Sequence, residues 1–179
     1  MRCFRQIYMT AIIFIILLIL SLQVSAENIF EKEVEKEASA VKFLREVQKG
    51  RYDIVTTQEL KSWIDSGKEM VLIDAMPYGH YKKKHIPGAL QFLFPIPEMS
   101  SWDTSETDGK SKTDYIKLLG PDMEKAIVIY CGFVKCTRSH NGAVWARQLG
   151  YKNVYRHPGG IYAWEGAKYD LESGSRSNN

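Results

Sequence analysis

The sequence predicts an α/β domain whose mainly parallel sheet is covered by helices on both faces. Three short runs, at residues 70–74, 89–92 and 127–130, have the largely apolar character of strands buried on both sides. Segments with helical spacing alternate with these runs, as expected where helices connect parallel strands. A chain of 179 residues is long enough to bury one sizeable core.

Four further elements complete the predicted alternation of strands and helices. In chain order they are a strand at 52–55, a helix from Thr56 or Thr57 to near Gly67, a helix at 139–149 and a strand at 153–155. The threonines are suited to cap the first helix, and a glycine follows each helix as a stop signal. In such sheets, ligands bind beyond the carboxyl ends of the strands.

The N-terminal segment has the pattern of a secretory signal. Arg2 and Arg5 precede an apolar run at 12–20, and Val24-Ser25-Ala26 has the small-x-small form of a cleavage site. We therefore predict a signal peptide at 1–26 and an extracytoplasmic location, such as the bacterial periplasm. An uncleaved membrane anchor is the alternative, because this stretch is nearly long enough to span a bilayer.

The rest of the chain divides into four predicted parts. They are an amphipathic helix at 27–50 that packs its apolar stripe onto the main domain, the main domain at 51–173, a polar surface insertion at 95–121 inside it, and a disordered tail at 174–179. Surface insertions of this kind either cover a site or are merely tolerated. The sequence does not decide between these two roles.

Charge and composition narrow the class of partner. The formal net charge is +3 and falls to +1 if Arg2 and Arg5 leave with the signal. The lysines are interleaved with acidic residues and form no basic stripe, so we expect no nucleic-acid partner. Contact with a membrane is expected only if the N-terminal segment stays uncleaved.

The segment after 127–130 is the most informative for chemistry. Cys131 follows this strand, a polar loop carries Cys136, and Arg138 and Ser139 begin the next helix. A thiol at this junction faces the N–H groups of a helix start, which favour negative charge. We therefore expect Cys131 to be biased toward the thiolate and to act as a nucleophile, with a buried, inert cysteine as the alternative. We call residues 131–138 the cysteine loop.

From about Tyr52 to Glu172 the chain resembles a single rhodanese domain of the sulfurtransferase family. The resemblance rests on motifs in the family's order: a strand closing on Asp74, His85-Ile86-Pro87-Gly88-Ala89, the strand that delivers Cys131 with Arg138-Ser139 after its loop, the last strand within 149–155, and Gly159-Gly160-Ile161-Tyr162-Ala163-Trp164. It implies a five-stranded parallel sheet with flanking helices, a fold shared with one class of protein phosphatases.

The chain departs from the family pattern at two places. Met76 stands where the family usually has an arginine two residues after the aspartate. The cysteine loop spans eight positions and contains a second cysteine, so it is longer than that of typical members and of the related phosphatases. A wider donor pocket is the expected consequence of the longer loop.

The resemblance implies that Cys131 accepts sulfur as a persulfide, from a thiosulfate-like or polysulfide-like anion, and passes it to a thiol, cyanide or a protein. Arg138 would hold a sulfonate or orient the loop. Backbone N–H groups would cradle the anionic sulfur. The residues expected to form this substrate-binding loop are Gly132, Phe133, Val134, Lys135, Thr137 and Ser139. Asp74 and His85 are expected to give structural support, and no metal or cofactor is expected.

The role of Cys136 is left open by the sequence. Across a curved loop it can reach disulfide distance of Cys131, roughly 5–6 Å between Cα atoms. It would then resolve the persulfide or protect the nucleophile, whereas a permanent disulfide would silence Cys131. An unpaired bystander is a further alternative.

Two other functions compete with sulfur transfer. One is a non-catalytic sulfur-binding or docking module with a Cys131–Cys136 disulfide, and the other is a phosphatase-like use of the loop. No acid suited to protonate a leaving group is evident for the phosphatase. His140 is expected at the surface and His157 in a turn.

Overall fold

The computed structural model describes residues 2–174, without the side chains of 2–11 and 18–28. The side chains of the predicted cleavage site at Ala26, and the predicted tail except residue 174, therefore lie outside the described residues. The helices are α1 (Arg2–Gly50), α2 (Thr57–Asp65), α3 (Tyr78–Lys83), α4 (Lys112–Leu119), α5 (Arg138–Gln148) and α6 (Gly160–Gly166), with a 3₁₀ helix at Thr104–Glu106. The strands are β1 (Asp53–Ile54), β2 (Met70–Asp74), β3 (Leu90–Gln91), β4 (Ala126–Tyr130) and β5 (Val154–His157).

The five strands form one parallel sheet in the order β1-β5-β4-β2-β3. The predicted α/β fold with a five-stranded parallel sheet is thus confirmed. The bounds of β2 agree with the prediction, β3 is shorter than predicted, and β5 continues to His157. The alternation of strands and helices in the sequence predicts most of this topology, because two neighbouring parallel strands must be joined by a crossover connection.

The central strand β4 is buried along its whole length. Ile127 and Ile129 pack into a cluster on one face of the sheet, and Val128 and Tyr130 pack into a cluster on the other face. This division follows from the pleat, since successive side chains of a strand point to opposite faces. A strand covered on both faces reads as a continuous apolar run, which is why the sequence identifies it.

The start of α2 agrees with its sequence signal. The Thr56 side chain accepts a hydrogen bond from the Glu59 N–H at 3.3 Å, and the Glu59 carboxylate accepts one from the Thr56 N–H at 2.8 Å. This reciprocal pair is a capping box, which satisfies two N–H groups that the helix leaves free. The helix ends at Asp65, shortly before Gly67, which has a positive φ of 69°.

Segment 95–121 is less superficial than its polar composition predicts. Its middle, around residues 100–106, is mostly exposed, but Met99, Tyr115 and Leu119 belong to the buried core. Trp102 is partly buried and packs against the same cluster. The few apolar side chains of the segment therefore anchor it to the sheet, and its last part forms the two-turn helix α4.

The chain separates into two compact units, residues 1–43 and residues 44–179. The first unit consists of most of α1, a continuous helix across both the predicted signal and the predicted N-terminal helix. The end of this helix, residues 44–50, belongs to the second unit with the sheet. In the part of the chain whose side chains are described, no helix is long and apolar enough to cross a bilayer.

Candidate active site

The cysteine loop lies at the carboxyl edge of the sheet, between the end of β4 and the start of α5. Cys131 follows Tyr130 directly, and β4 is held between β2 and β5. Thr137 is the N-cap residue of α5, but its side chain makes no capping hydrogen bond. The first backbone N–H groups of this helix are therefore available to groups inside the loop.

The start of α6 fixes the start of the cysteine loop. Backbone N–H groups of Ile161 and Tyr162 donate to the carbonyl oxygens of Cys131 and Gly132, at 2.9 and 3.0 Å. Gly160 approaches the same segment with a φ of 58°, and a Cβ atom on it would lie 2.2 Å from the Cys131 carbonyl oxygen. The glycine of this motif thus permits a close backbone approach that a side chain would prevent.

Two free thiols meet inside the loop. Cys131 and Cys136 are both unbridged and buried, with exposed fractions of 1% and 8%. The Cys131 thiol lies 3.2 Å from the Cys136 carbonyl oxygen, to which it donates, and 3.2 Å from the Ser139 hydroxyl oxygen. The loop therefore brings together both cysteines and Ser139, three of the predicted site residues.

The pKa shifts of the two thiols run in opposite directions, and the surroundings favour the thiolate at Cys136 rather than at Cys131. The neighbouring Cys131 thiol, and then the backbone N–H groups of Gly132 and Arg138, lower the pKa of Cys136 to about 6, although burial opposes this. Burial, and then the neighbouring Cys136 sulfur, raise the pKa of Cys131 well above its usual range. The cradle of N–H groups predicted for Cys131 therefore surrounds the second cysteine.

Arg138 reaches from the cysteine loop to the segment that follows β3. Its guanidinium donates to the carbonyl oxygen of Phe94, in the chain that follows β3. Its charge also favours the Cys136 thiolate. In the structure Arg138 thus joins the cysteine loop to the neighbouring segment.

The outer part of the loop is open to solvent. Phe133, Val134 and Lys135 are exposed, and the Phe133 ring stacks on Tyr162 with centroids 5.6 Å apart. Thr137 is half-buried. The predicted loop residues therefore form two groups, with the buried thiols below and these exposed side chains above.

Arg156 was not among the predicted site residues, and it is fully buried beneath the loop. Its Nη2 atom donates to the carbonyl oxygens of Cys136 and Val134, at 2.9 and 3.2 Å, and its Nε atom donates to the Ser139 hydroxyl at 2.9 Å. Glu46 accepts a hydrogen bond from Nη1 at 2.6 Å. An arginine within the short apolar β5 strand is the one signal that pointed to a buried charge needing partners.

Asp74 and His85 lie in the surroundings of the loop, as support residues would. Asp74 is buried and accepts the Met76 N–H at 2.9 Å, and burial raises its pKa to about 6. His85 stacks on Tyr81 with ring centroids 4.0 Å apart and faces the Tyr81 carbonyl oxygen at 2.9 Å. The Met76 side chain, at the position where the family usually has an arginine, lies against Gly132.

Two histidines are placed differently from the sequence expectation. His140 is buried rather than at the surface, and its Nδ1 lies 2.9 Å from the Tyr52 hydroxyl. His157 is the buried last residue of β5 rather than part of a turn. Both were misassigned because sequence spacing alone does not show which side of α5 or β5 is covered.

A small cavity lies beside the loop, between α3, α6 and the end of β2. Its volume is about 150 Å³, and its lining residues include Asp74, Met76, Lys83 and Tyr162. The cavity shares the Met76 side chain with the wall of the cysteine loop. Small ligands that approach Gly132 from this side would meet a lysine and a carboxyl group.

Comparison with known proteins agrees with this geometry. The family model for the rhodanese-like domain matches residues 56–167. A chloroplastic rhodanese-like domain-containing protein of Arabidopsis thaliana is 28% identical over 120 residues, covering 52% of this chain and 54% of its own. This chain thus spans about half the length of that relative.

Two solved structures are similar to this chain. A thiosulfate sulfurtransferase from Pseudomonas aeruginosa is 22% identical with a TM-score of 0.56, and the match covers 76% of this chain and 23% of that protein. A protein from Bacillus halodurans is 24% identical with a TM-score of 0.49, with coverage of 75% and 86%. Since the family model covers more than half of the residues, this chain belongs to the rhodanese-like domain family.

Proposed function

We propose that this protein is a rhodanese-type sulfurtransferase that carries sulfane sulfur on Cys131 and uses Cys136 first as a base and then as the resolving cysteine. The observation that supports this most is the pair of free, buried thiols within one loop at the carboxyl edge of the sheet. Family membership supports sulfur chemistry, and the second thiol supports the distinction from a one-cysteine enzyme.

In the first step Cys131 attacks the donor. The Cys136 thiolate takes the Cys131 proton, while the Cys131 sulfur bonds to the outer sulfur of thiosulfate and the sulfur–sulfur bond of the donor breaks. The products are a Cys131 persulfide anion, a Cys136 thiol and sulfite, which leaves with the electron pair. The neighbouring base accepts the proton as the new sulfur–sulfur bond forms, so a free Cys131 thiolate, which its raised pKa disfavours, need not accumulate.

In the second step Cys136 attacks the Cys131 sulfur. A disulfide between Cys131 and Cys136 forms, the bond to the outer sulfur breaks, and hydrosulfide leaves with the Cys136 proton. The two cysteines are thereby oxidised and the transferred sulfur is reduced to sulfide. An external thiol returns the disulfide to the dithiol, or accepts the sulfur directly from the persulfide before Cys136 attacks.

Access to the thiols requires movement of the exposed residues of the loop. Cys131 is 1% exposed, whereas Phe133 and Val134 are 46% and 50% exposed. We propose that 133–135 lift to admit a small sulfur-containing anion. A thiol, cyanide or a protein then accepts the sulfur, and the predicted secretory signal places these reactions outside the cytoplasm.

Burial of both thiols supports a second candidate function, a non-catalytic rhodanese-like module. In that case the loop stays closed, and oxidation locks the cysteines in a disulfide that the environment does not turn over. Such a module would bind a partner through its exposed loop residues. The two candidates differ in whether the reduced protein takes up sulfur.

Intact-mass spectrometry of the reduced protein after exposure to thiosulfate or polysulfide tests the proposed function. We use the full chain with Cys3→Ser, so that only the two loop thiols are present. Transient uptake of one sulfur atom, or release of one sulfide with formation of a disulfide, supports transfer when it disappears in Cys131→Ser. Absence of uptake and of sulfide release in the reduced, folded protein would favour the non-catalytic module.

A further inference from the structure

We infer that Arg156 is a positioning residue for the two-thiol chemistry, acting through Ser139 and through the carbonyl groups of the cysteine loop. Neither the resemblance nor the proposed reaction assigns it a role. The inference rests on the two-thiol site of the proposed function, but it does not require that sulfur is transferred. Its basis is the set of hydrogen bonds around one fully buried guanidinium.

The first part of this role is an indirect effect of Arg156 on Cys131, through the Ser139 hydroxyl. We call this pair of contacts the relay. Arg156 Nε donates to the Ser139 hydroxyl oxygen at 2.9 Å, and that oxygen lies 3.2 Å from Cys131 Sγ. Since the guanidinium can only donate, the hydroxyl accepts from Arg156 and keeps its own proton for the sulfur. The Ser139 hydroxyl is therefore oriented to donate to a Cys131 thiolate or persulfide.

The second part concerns the shape of the loop. Arg156 Nη2 donates to the carbonyl oxygens of Cys136 and Val134, at 2.9 and 3.2 Å. Peptide groups are planar, so fixing these two carbonyl groups also fixes the directions of the N–H groups of Lys135 and Thr137. The Cys136 carbonyl oxygen lies 3.2 Å from Cys131 Sγ, and the hydrogen bond from Arg156 counters the partial negative charge of this oxygen.

The guanidinium is itself held in place from the opposite side. Glu46 at the end of α1 accepts from Nη1 at 2.6 Å, and the Tyr52 hydroxyl accepts from the same atom at 3.3 Å. The Tyr52 hydroxyl also meets His140. A fully buried arginine that is held by hydrogen bonds on both sides has little freedom to change its contacts with the loop.

Other charged and titratable groups near the pair must be kept constant in a test. Arg138 favours the Cys136 thiolate, and Cys136 influences the pKa of Asp74. Around Arg156, the titratable groups are Glu46, Tyr52 and His140. Variants of Arg156 leave these residues in place, apart from one double variant that includes Glu46.

The test is a pH titration of the ultraviolet thiolate absorbance, which does not depend on reagent access to buried sulfur. The full chain with Cys3→Ser is titrated with Arg156 intact and as Arg156→Met, which is similar in length but uncharged. We expect the first thiolate step of the pair, near pH 6 in the parent, to rise by about one pH unit, a roughly tenfold change in proton affinity. Arg156→Lys should restore part of the change.

The matched control is Arg147→Met on α5. Arg147 also donates to backbone carbonyls, those of Tyr151 and Lys152, but it has no contact with the cysteine loop. Its removal should leave the thiolate step in place. An unchanged step in folded Arg156→Met, or an equal shift in Arg147→Met, would overturn the inference.

Two further variants keep the test informative if Arg156→Met does not fold. Arg156→Met with Glu46→Gln removes both members of the buried ion pair, so that no lone carboxylate is left inside. Ser139→Ala keeps the guanidinium and breaks the relay to Cys131, so it should raise the second thiolate step of the pair, which belongs to Cys131. Normal sulfur uptake with an unmoved thiolate step would refute this inference alone, whereas a shifted step without sulfur uptake would refute the proposed function alone.

Discussion

At the scale of single residues, the two cysteines differ because of their surroundings, although their side chains are identical. Cys131 lies between the end of a strand and a carbonyl group, and Cys136 lies where N–H groups and a neighbouring thiol converge. Helix starts favour anions, but the loop determines which sulfur occupies that position. The position of Cys131 after a strand predicts a reactive thiol at this junction, whereas the opposite pKa shifts of the two thiols come from neighbours that only the fold brings together.

The rate of persulfide formation should increase with pH, because the reaction requires a deprotonated base. Cys136 is deprotonated above its pKa of about 6, so the rate should rise as the pH increases through that value and then level off. Single-turnover sulfite release from thiosulfate, followed between pH 4.5 and 8, measures this.

Asp74 also titrates near pH 6 and provides the control for that profile. Asp74→Asn should retain the rise in rate, whereas Cys136→Ser should lose it and react slowly throughout. A rise that disappears with Asp74 instead would contradict the assignment of Cys136 as the base.

Asp74 should also affect stability in a pH-dependent way. Its pKa is about 6 in the folded protein and 3.8 as the reference, so the folded state binds this proton more tightly than the unfolded state. The stabilisation is complete below pH 3.8 and is lost as the pH rises through 6, which amounts to ~3 kcal/mol.

Asp74→Asn removes that loss, because an amide carries no charge and still accepts the Met76 N–H. We expect the variant to gain stability relative to the parent between pH 4 and pH 7. Urea unfolding at several pH values measures this, and a difference independent of pH would contradict the burial argument.

At the scale of elements, α6 and the cysteine loop are held together by backbone contacts. Two N–H groups of α6 cap the carbonyls of Cys131 and Gly132, and Gly160 makes that approach sterically feasible. The sequence motif with paired glycines identified this region through resemblance. Its physical reason, a carbonyl oxygen that would lie 2.2 Å from a Cβ atom, becomes visible only in the fold.

Gly160→Ala should therefore destabilise the protein by at least ~2 kcal/mol, since it adds both a clash and an unfavourable positive φ. Gly166→Ala, at the other end of α6, is the matched control, because nothing lies within 4 Å of its added methyl group. Chemical denaturation of both variants measures the difference. Equal stability would refute the close-approach explanation.

The polar composition of segment 95–121 predicts a surface insertion, but part of the segment packs into the core. The Trp102 ring lies within 5.1 Å of Trp145 and about 6.0 Å of Phe92 and Phe94, between ring centroids. We expect Trp102→Ala to lower the free energy of unfolding by ~2–3 kcal/mol. Ile96→Ala, at a side chain 60% exposed in the same segment, should have little effect. Similar small effects of both changes would show that the segment is only a surface insertion.

At the scale of the whole molecule, the order of apolar runs was sufficient to predict the sheet. Strands such as β2 and β4 are buried on both faces, so they appear in the sequence as nearly continuous apolar runs. The position of Arg156 under the loop was not predictable, because it depends on the adjacency of β5 and β4 and on a partner, Glu46, at a sequence distance of 110 residues. Contacts between residues so far apart follow from topology rather than from local pattern.

The topology also explains why the chemistry is concentrated at one edge. Parallel strands point their carboxyl ends in the same direction, so the residues that follow β2, β4 and β5 meet above the sheet. Cys131 follows β4, Met76 follows β2, and Gly160 follows β5 in that region. Cys136, in the loop that follows Cys131, adds a second thiol at this edge of the sheet.

The most direct test of the account is a single turnover of the reduced protein with one equivalent of thiosulfate, with sulfide release and intact mass followed together. The parent chain with Cys3→Ser should release one sulfide per molecule and end as a Cys131–Cys136 disulfide. The variant that also carries Cys136→Ser should retain the sulfur on Cys131 and release none. Sulfide release without Cys136, or a persistent persulfide in its presence, would contradict the two-thiol mechanism.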